Sequence, residues 1–502
     1  MKKFLVLALL IVFLVPLMAA CNNGGDTESK AEISDVSQSE NSGEIDLNHF
    51  EVPQKDMQGR EFKILCWDFG YGSNSILGFT GEVLYNEEQP DAVDNAKKRV
   101  IDIVEERFNC TISGDLVHDS NNRVSEMVKN MVDSGLVEYD FIFENIFYTT
   151  PLVTDNKLEV LNDISTIDLT APWWDQNSVK DLSIAHRNYF VAGDINTYDN
   201  QGTWCVLFNK DLKESLGITE DFYDLARNYK WTMDKFMEIC MTPGFTRDFN
   251  GDGALDEKDQ WAFGTETYNM YVQLIAGGQK IAQKDEDDLP YLTIYNDPEA
   301  TYTMLQKIVD FYNREDIVMD ANTPKYESKG FSNVWEETVW KAFTDGRELF
   351  YMCGLINVAS FRKMEDEFGI LPVPTYYDYQ DEYHHTVSMH NSTVLSIPLG
   401  VEGLEDVGTI ISALSEESRK YVTPAYYDKQ LKYRDMRDDE SGEMLDMIFA
   451  SRTFDIGAAF NWNGILWQYM STDKNVQSRF EAIVTATQNE LEKTLEAIDA
   501  LD

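Results

Sequence analysis

The chain is poor in several kinds of residue, and each shortage excludes something. It has six cysteines in 502 residues, with no C-x-x-C spacing among them, so a thiolate zinc ribbon and a dithiol redox motif are both excluded. Cys66, Cys110, Cys205, Cys240 and Cys353 sit mostly inside apolar segments such as Lys63-Ile64-Leu65-Cys66-Trp67 and read as small buried hydrophobes rather than a disulfide framework. Five is odd, so at least one is free in a monomer. Basic residues are scarce, 42 against 88 acidic, for a net charge of −46. That balance excludes nucleic acid as a partner and disfavours adsorption to anionic lipid. Histidine is rarer still, and His384-His385 lacks helical metal-ligand spacing. There is no phosphate-cradling glycine loop, and Ser388-Met389-His390-Asn391 is not a nucleophile elbow. With 88 acids, carboxylate pairs are inevitable and say nothing about glycosidase chemistry. Catalysis therefore has poor support in the sequence, and the chain is not expected to be an enzyme. Aromatic content of 12% within 43% hydrophobic residues excludes overall disorder.

Long apolar runs are also missing, with one exception at the start. Lys2 and Lys3 precede an apolar run from Phe4 to Leu17, too short for a stable membrane span and suited to a signal peptide. Met18-Ala19-Ala20-Cys21 follows. This resembles the lipobox, in which the cysteine sulfur takes a diacylglycerol and the chain is cut before it; the alternative is an ordinary secretory signal cleaved near Ala20. The lipobox reading gives a signal peptide over 1–20 and a membrane anchor at Cys21 with stable, palmitate-type multiple acylation. Residues 21–58, rich in Asn, Gly, Asp, Glu and Ser, read as a disordered acidic tether with a reach of about 35 Å. The remainder is too long for one ordinary core and predicts two lobes.

Strand, helix, strand, helix, strand is the order read from Phe62–Trp67, the amphipathic run after Asp91, Thr111–Leu116, the run 124–132 closed by Gly135, and Tyr139–Phe143. Such an order makes a parallel sheet covered by helices, with ligands beyond the carboxyl ends of its strands. Trp204–Phe208 reads as the first strand of a second lobe, Thr232 as the cap of a helix, and Phe350–Cys353, Phe368–Val373 and Thr393–Ile397 as later strands.

Several segments, in this order, are similar to those of extracellular solute-binding proteins of the maltose-binding type. They are Asn188–Asp194, Leu207–Leu212, Lys230–Phe236, the stretch from Lys341 to Gly354, and Gly369–Pro374. The usual proline before the Trp231 helix start is missing. The resemblance covers most of 60–500. It implies an α/β, two-lobed, class II periplasmic-binding-protein-like fold, with mixed parallel sheets flanked by helices and joined by a hinge. The lobes would be 59–195 with 386–440, and 200–375 with 441–502. Crossings are expected near 195–204 and 375–387, with the terminal helices on the second lobe. It further implies a monomer that takes a carbohydrate, an oligosaccharide by preference, in the interlobe cleft. The monomer would deliver that sugar to the permease subunits of an ABC importer at the outer face of the cell membrane. A lipid-anchored enzyme acting on polysaccharide, or a binder of peptide or another small solute on the same fold, are the alternatives.

Two constellations remain. The sharper is 248–259, which follows a calcium-loop pattern: Asp248, Asn250, Asp252 and Asp256 supply oxygens, Gly253 the turn, and Ala254 a carbonyl. Asp259 holds the twelfth position, where a glutamate is usual. Structural Ca2+ is the expected occupant; a solvated Asp/Gly turn is the alternative. The second is aromatic. Trp67, Phe69, Tyr71, Trp173, Trp174, Trp204, Tyr268, Tyr271, Tyr376, Tyr377, Trp462 and Trp467 fall largely at predicted strand ends and loops. Aromatic rings stack on the C–H faces of sugars while acids and amides take the hydroxyls. Strand-end position selects Trp67, Tyr71, Glu144 and Asn145. The resemblance adds Tyr268 and Tyr271, Trp462 lies in a loop between late helices, and His390 or Asn391 near the hinge completes the expected ligand set.

Overall fold

The computed structural model describes residues 50, 52–68, 81–88, 90–118, 122–361, 364–432 and 439–501. Cys21, the apolar run before it and Tyr71 lie outside the described residues. The folded body begins earlier than the composition suggested. Val52 and Met57 are buried in an apolar core, and the Met57 N–H donates to the Phe108 carbonyl. The polar stretch thus carries spaced apolar residues that dock, so the expectation of a tether running through residue 58 is corrected: residues 52–58 belong to the folded body.

The strands run from two to eight residues, and most of the longer ones grow from apolar runs. In chain order they are β1 (Glu61–Asp68), β2 (Thr111–His118), β3 (Phe141–Asn145), β4 (Phe190–Val191), β5 (Trp204–Asn209) and β6 (Trp261–Thr265). A hairpin of β7 (Ala282–Lys284) and β8 (Pro290–Leu292) follows. Then come β9 (Val318–Asp320), β10 (Glu348–Gly354), β11 (Phe368–Leu371), β12 (His385–Thr386), β13 (Thr393–Ser396) and β14 (Arg452–Thr453). Ten of them form two five-stranded sheets, ordered β2-β1-β3-β13-β4 and β9-β6-β10-β5-β11. Both follow one plan. In the first, β1 runs parallel to β2 and β3 while β13 is antiparallel to β3 and β4; in the second, β6 runs parallel to β9 and β10 while β5 is antiparallel to β10 and β11. Each sheet therefore turns the carboxyl ends of its parallel strands and the amino end of one reversed strand to the same side.

Local chemistry sets the helices between them. Asp91 opens the helix Ala92–Phe108 with a reciprocal capping box through Asp94, and Gly135 in the left-handed region (φ 69°) closes Arg123–Ser134. Thr232 caps Met233–Cys240 by accepting from the Lys235 N–H. Beside that cap Trp231 is fully buried against Phe222, Phe236 and Phe350, and its indole N–H donates to the Pro372 carbonyl at 2.9 Å. The long helix Leu404–Lys432 packs on Ala92–Phe108 in the first lobe, and Asp439–Ala450 packs on β11 in the second. The last helix, Val476–Asp499, touches both Pro298–Tyr312 of the second lobe and Ile146–Thr154 of the first. It was expected on the second lobe alone.

The chain passes between the sheets after β4 and again after β11. There β12 and β14 pair in parallel, His385 opposite Arg452, and Thr203 bridges Val387. His385 is held as one neutral tautomer: Nε2 accepts from the Val373 N–H at 3.1 Å, so Nδ1 carries the proton and donates to Ser451 Oγ at 2.7 Å. Burial drops its pKa to about 3. Arg452 clamps this crossing. Its guanidinium reaches Asp175 at 2.6 Å, Asp199 at 2.9 Å and the Asn200 side-chain amide oxygen Oδ1 at 2.7 Å, while Asn177 donates to the Arg452 main-chain carbonyl.

Candidate functional site

Because both sheets turn the same kind of edge toward one another, their strand ends line a shared cleft of about 520 Å3. From the first sheet come Trp67 at the end of β1 and Asn145 at the end of β3, with Tyr148 one turn into the next helix. Ser388, His390 and Asn391 enter from the crossing that leads into β13. The second sheet supplies Trp204 at the start of β5, Glu266 and Tyr268 after β6, Tyr351 on β10, and Ile356 and Asn357 beyond its end. Asn333, Trp335 and Trp340 come from the stretch before β10, and Trp467 from a late helix. The lining thus holds eight Trp or Tyr rings and four asparagines.

Many of these groups are held rigidly. The Trp204 indole N–H donates to Asn269, and Trp340 donates to the Tyr351 hydroxyl at 2.6 Å. Asn145 caps its helix by accepting from the Tyr148 N–H. Residues 336–340 form a π-helical turn. Its i→i+5 period brings Trp335 and Trp340 toward one face, where an α-helix would separate them. Trp467 is 47% exposed and lies parallel to the His390 imidazole, centroids 5.9 Å apart.

Other groups are left open. The Tyr268 hydroxyl, the Trp335 indole N–H and His390 Nε2 are buried and close no hydrogen bond inside the protein. Burial pushes the His390 pKa down to about 4, which leaves the ring neutral. The same cause, helped by the charge of Asp320, pushes Glu266 up to about 7. Glu266 is the one carboxylic acid in the lining, and no lysine or arginine lines it among the described residues.

Of the residues singled out in the sequence, Trp67, Asn145, Tyr268 and Asn391 meet in this cleft. Three others do not. Glu144 is fully buried and accepts from the Ser125 N–H and hydroxyl and from the Asn145 N–H. Tyr271 is fully buried with its hydroxyl donating to Asp455, one helical turn behind Tyr268. Trp462 stacks on Phe460 and donates to Thr494 at 2.9 Å; Trp467, five residues on, lines the cleft in its place. Glu266, Asn333, Trp335 and Trp340 were missed. The strand β6 that delivers Glu266 had not been read, and the i, i+5 spacing of the two tryptophans matches no α-helical or strand period.

In the 248–259 loop the polar side chains serve the main chain. Asp248 accepts from the Gly251 and Gly253 N–H groups, Asn250 from Asp252, Asp252 from Ala254, and Asp256 from Lys258. Asp259 is fully buried and accepts from Phe249, Asn250 and Asp256, so it closes the loop from inside. Among the described residues no three His, Cys, Asp or Glu side chains are gathered as metal ligands.

No family model and no curated protein matches the sequence. Solved structures do match in shape. UspC of M. tuberculosis aligns at TM-score 0.53 and 12% identity over 87% of this chain and 100% of that one. An ABC substrate-binding protein from Listeria monocytogenes in complex with cycloalternan aligns at 0.51 and 12% over 88% and 99%. A sugar transporter protein from Rhizobium etli in an open conformation aligns at 0.51 and 14% over 88% and 100%. This is the two-lobed fold of ABC solute-binding proteins. The cleft described above lies between the two lobes of that fold.

Proposed function

We propose that the chain is the substrate-binding component of an ABC importer, anchored by a lipid on Cys21 at the outer face of the cell membrane. In this reading it captures an oligosaccharide in the interlobe cleft and hands it to the permease. The observation that carries the reading is the lining: eight aromatic rings offer flat apolar faces, while four asparagines and the open polar atoms of Tyr268, Trp335 and His390 offer hydrogen bonds to hydroxyls. The fold is shared with a protein crystallised with cycloalternan, which supports a sugar as ligand. A glycoside hydrolase needs two carboxyl groups flanking the bond it cuts, and this lining offers Glu266 alone. Ligand held by both walls favours the closed relation of the lobes, so the permease can distinguish loaded from empty receptor. Oxygens of the 248–259 loop, from Asp248, Asn250, Asp252 and Asp256 with the Ala254 carbonyl, are proposed to take a structural Ca2+.

A thermal-shift screen of neutral, amino and acidic oligosaccharides against short peptides tests the central claim. At least one oligosaccharide raises the Tm by several degrees, as ligand binding to the folded state alone requires, and compacts the protein in solution scattering. A peptide doing so while every sugar fails would overturn the substrate class. Retention of a Cys21→Ser variant in the membrane fraction would overturn the anchor.

A further inference from the structure

The charge of the cleft narrows the sugar. Glu266 follows β6 and points into a ring-lined space. Its titratable neighbours come from four elements: Asp320 at the end of β9, Tyr268 on the helix that follows, Tyr351 and Cys353 on β10, and Tyr312 on the helix Pro298–Tyr312. All are acids or neutral groups. No ion pair to Glu266 exists among the described residues, and the Trp335 indole N–H is turned toward its carboxyl without closing a hydrogen bond. Asp320 is itself buried with one carboxyl oxygen unpartnered. Asp175 and Asp199, by contrast, share Arg452 as their counter-ion.

A carboxylate drawn from water against aromatic rings and beside a second acid is costly unless a cation meets it. Ring faces carry negative quadrupole charge, so they favour the same cation and disfavour an anion. The protein supplies the rings and a carboxyl that keeps its proton in the empty cleft near pH 6 and gives it up when a cation meets it, but no counter-charge within the described lining. Resting on the sugar-binding reading above, we propose that the ligand brings that counter-charge: an oligosaccharide with a free, protonated amine, seated with its ammonium against the Glu266 carboxyl between Trp335 and Tyr268. Acidic sugars are excluded by the same field.

Calorimetry on the full-length protein in detergent, with four trimers of equal length, tests this. The probes are the glucosamine trimer, its N-acetylated form, maltotriose and trigalacturonate. The glucosamine trimer binds about tenfold or more tighter than its acetylated form at pH 6, a charge-assisted hydrogen bond's worth of selectivity. Glu266→Gln brings that ratio to within about twofold, and Glu266→Asp, which keeps the charge, retains a preference for the amine. The ratio is read within each variant, so a general loss of affinity does not imitate the effect, and circular dichroism checks that each variant is folded. Equal or tighter binding of the acetylated or neutral trimer by the wild type overturns the amine while leaving sugar binding intact. Binding of none of the four, with a peptide or other solute bound instead, overturns the sugar reading and this one with it.

Discussion

The two walls of the cleft are built on one strand plan but are chemically unequal. At the first sheet's edge, acids are satisfied by their own scaffold. Asp68, which ends β1, lies 2.7 Å from the His118 imidazole and accepts from the Tyr198 hydroxyl, and Glu144 is enclosed by Ser125 and the Asn145 N–H. At the second sheet's edge, Glu266 and Asp320 occupy comparable strand ends without a cation. Rings are unequal too: Trp67 and Tyr148 on the first wall face Trp204, Tyr268, Trp335, Trp340 and Tyr351 on the second. One sheet edge has been finished as scaffold and the other left open as recognition surface. On the proposed reading the second lobe supplies most of the binding energy, and the first completes the enclosure.

The comparison needs both walls to hold their relation, and Arg452 is the side chain on which that depends. Replacing it with methionine leaves Asp175 and Asp199 buried without their shared counter-ion. Loss of one partner from such a cluster costs about 3–5 kcal/mol. Urea unfolding measures it; a change below about 1 kcal/mol would mean the crossing is not clamped by this network.

The walls can then be set against each other. Trp335→Ala and Trp340→Ala each weaken the best sugar from the screen by about a hundredfold, and Trp67→Ala by about tenfold, the range for truncating a central and a flanking aromatic anchor. Calorimetry reads all three. Equal losses, or a larger one at Trp67, would break the asymmetry.

How legible this was differs by level. The strands of the first sheet, the capping at Asp91 and Thr232, and the two-lobed plan follow from period, length and turn chemistry, which act locally. The wall residues were readable where they end a strand that itself was readable, as at Trp67 and Asn145. They failed where side-chain direction decides. Tyr268 and Tyr271 share a helix start, yet one hydroxyl opens to the cleft and the other donates to Asp455. Trp462 and Trp467 are five residues apart, but the left-handed residues Asn463 and Gly464 redirect the chain between them. Trp335 and Trp340 converge through a π-helical turn, which no simple period announces. Each of these is settled by packing partners far away in sequence.

Titration sharpens the contrast between paired and open acids. Glu266 and Asp320 are each raised to about 7 by burial. Their folded pKa values lie above the unfolded ones, so the folded state holds more protons between roughly pH 4 and 7. Stability from these groups is present at the acid end of that window and is lost as pH rises through it. A Glu266→Gln variant loses its share of that slope: its Tm gains on the wild type by about 1–2 °C between pH 5 and pH 8. An unchanged difference across that range would show Glu266 already paired, and the two edges would then be alike.

The smallest effect concerns the 248–259 loop, where the second lobe carries a different set of acids. Here, as at the first sheet's edge, the carboxylates already accept main-chain N–H groups, and Asp259 is wholly occupied inside the loop. Calcium therefore adds only what the remaining oxygens of Asp248, Asn250, Asp252 and Asp256 can offer, partly offset by competition from Lys329, 3.8 Å from Asp256. Millimolar Ca2+, in the range of weak extracellular-type sites, raises the Tm by about 1–2 °C, as mass action at a weakly occupied site gives. An Asp248→Ala/Asp252→Ala double variant shows no such rise. The same rise in both proteins would assign the effect to screening of the −46 net charge, and the loop would then be an Asx-turn device whose acids, like Glu144, are spent on the scaffold.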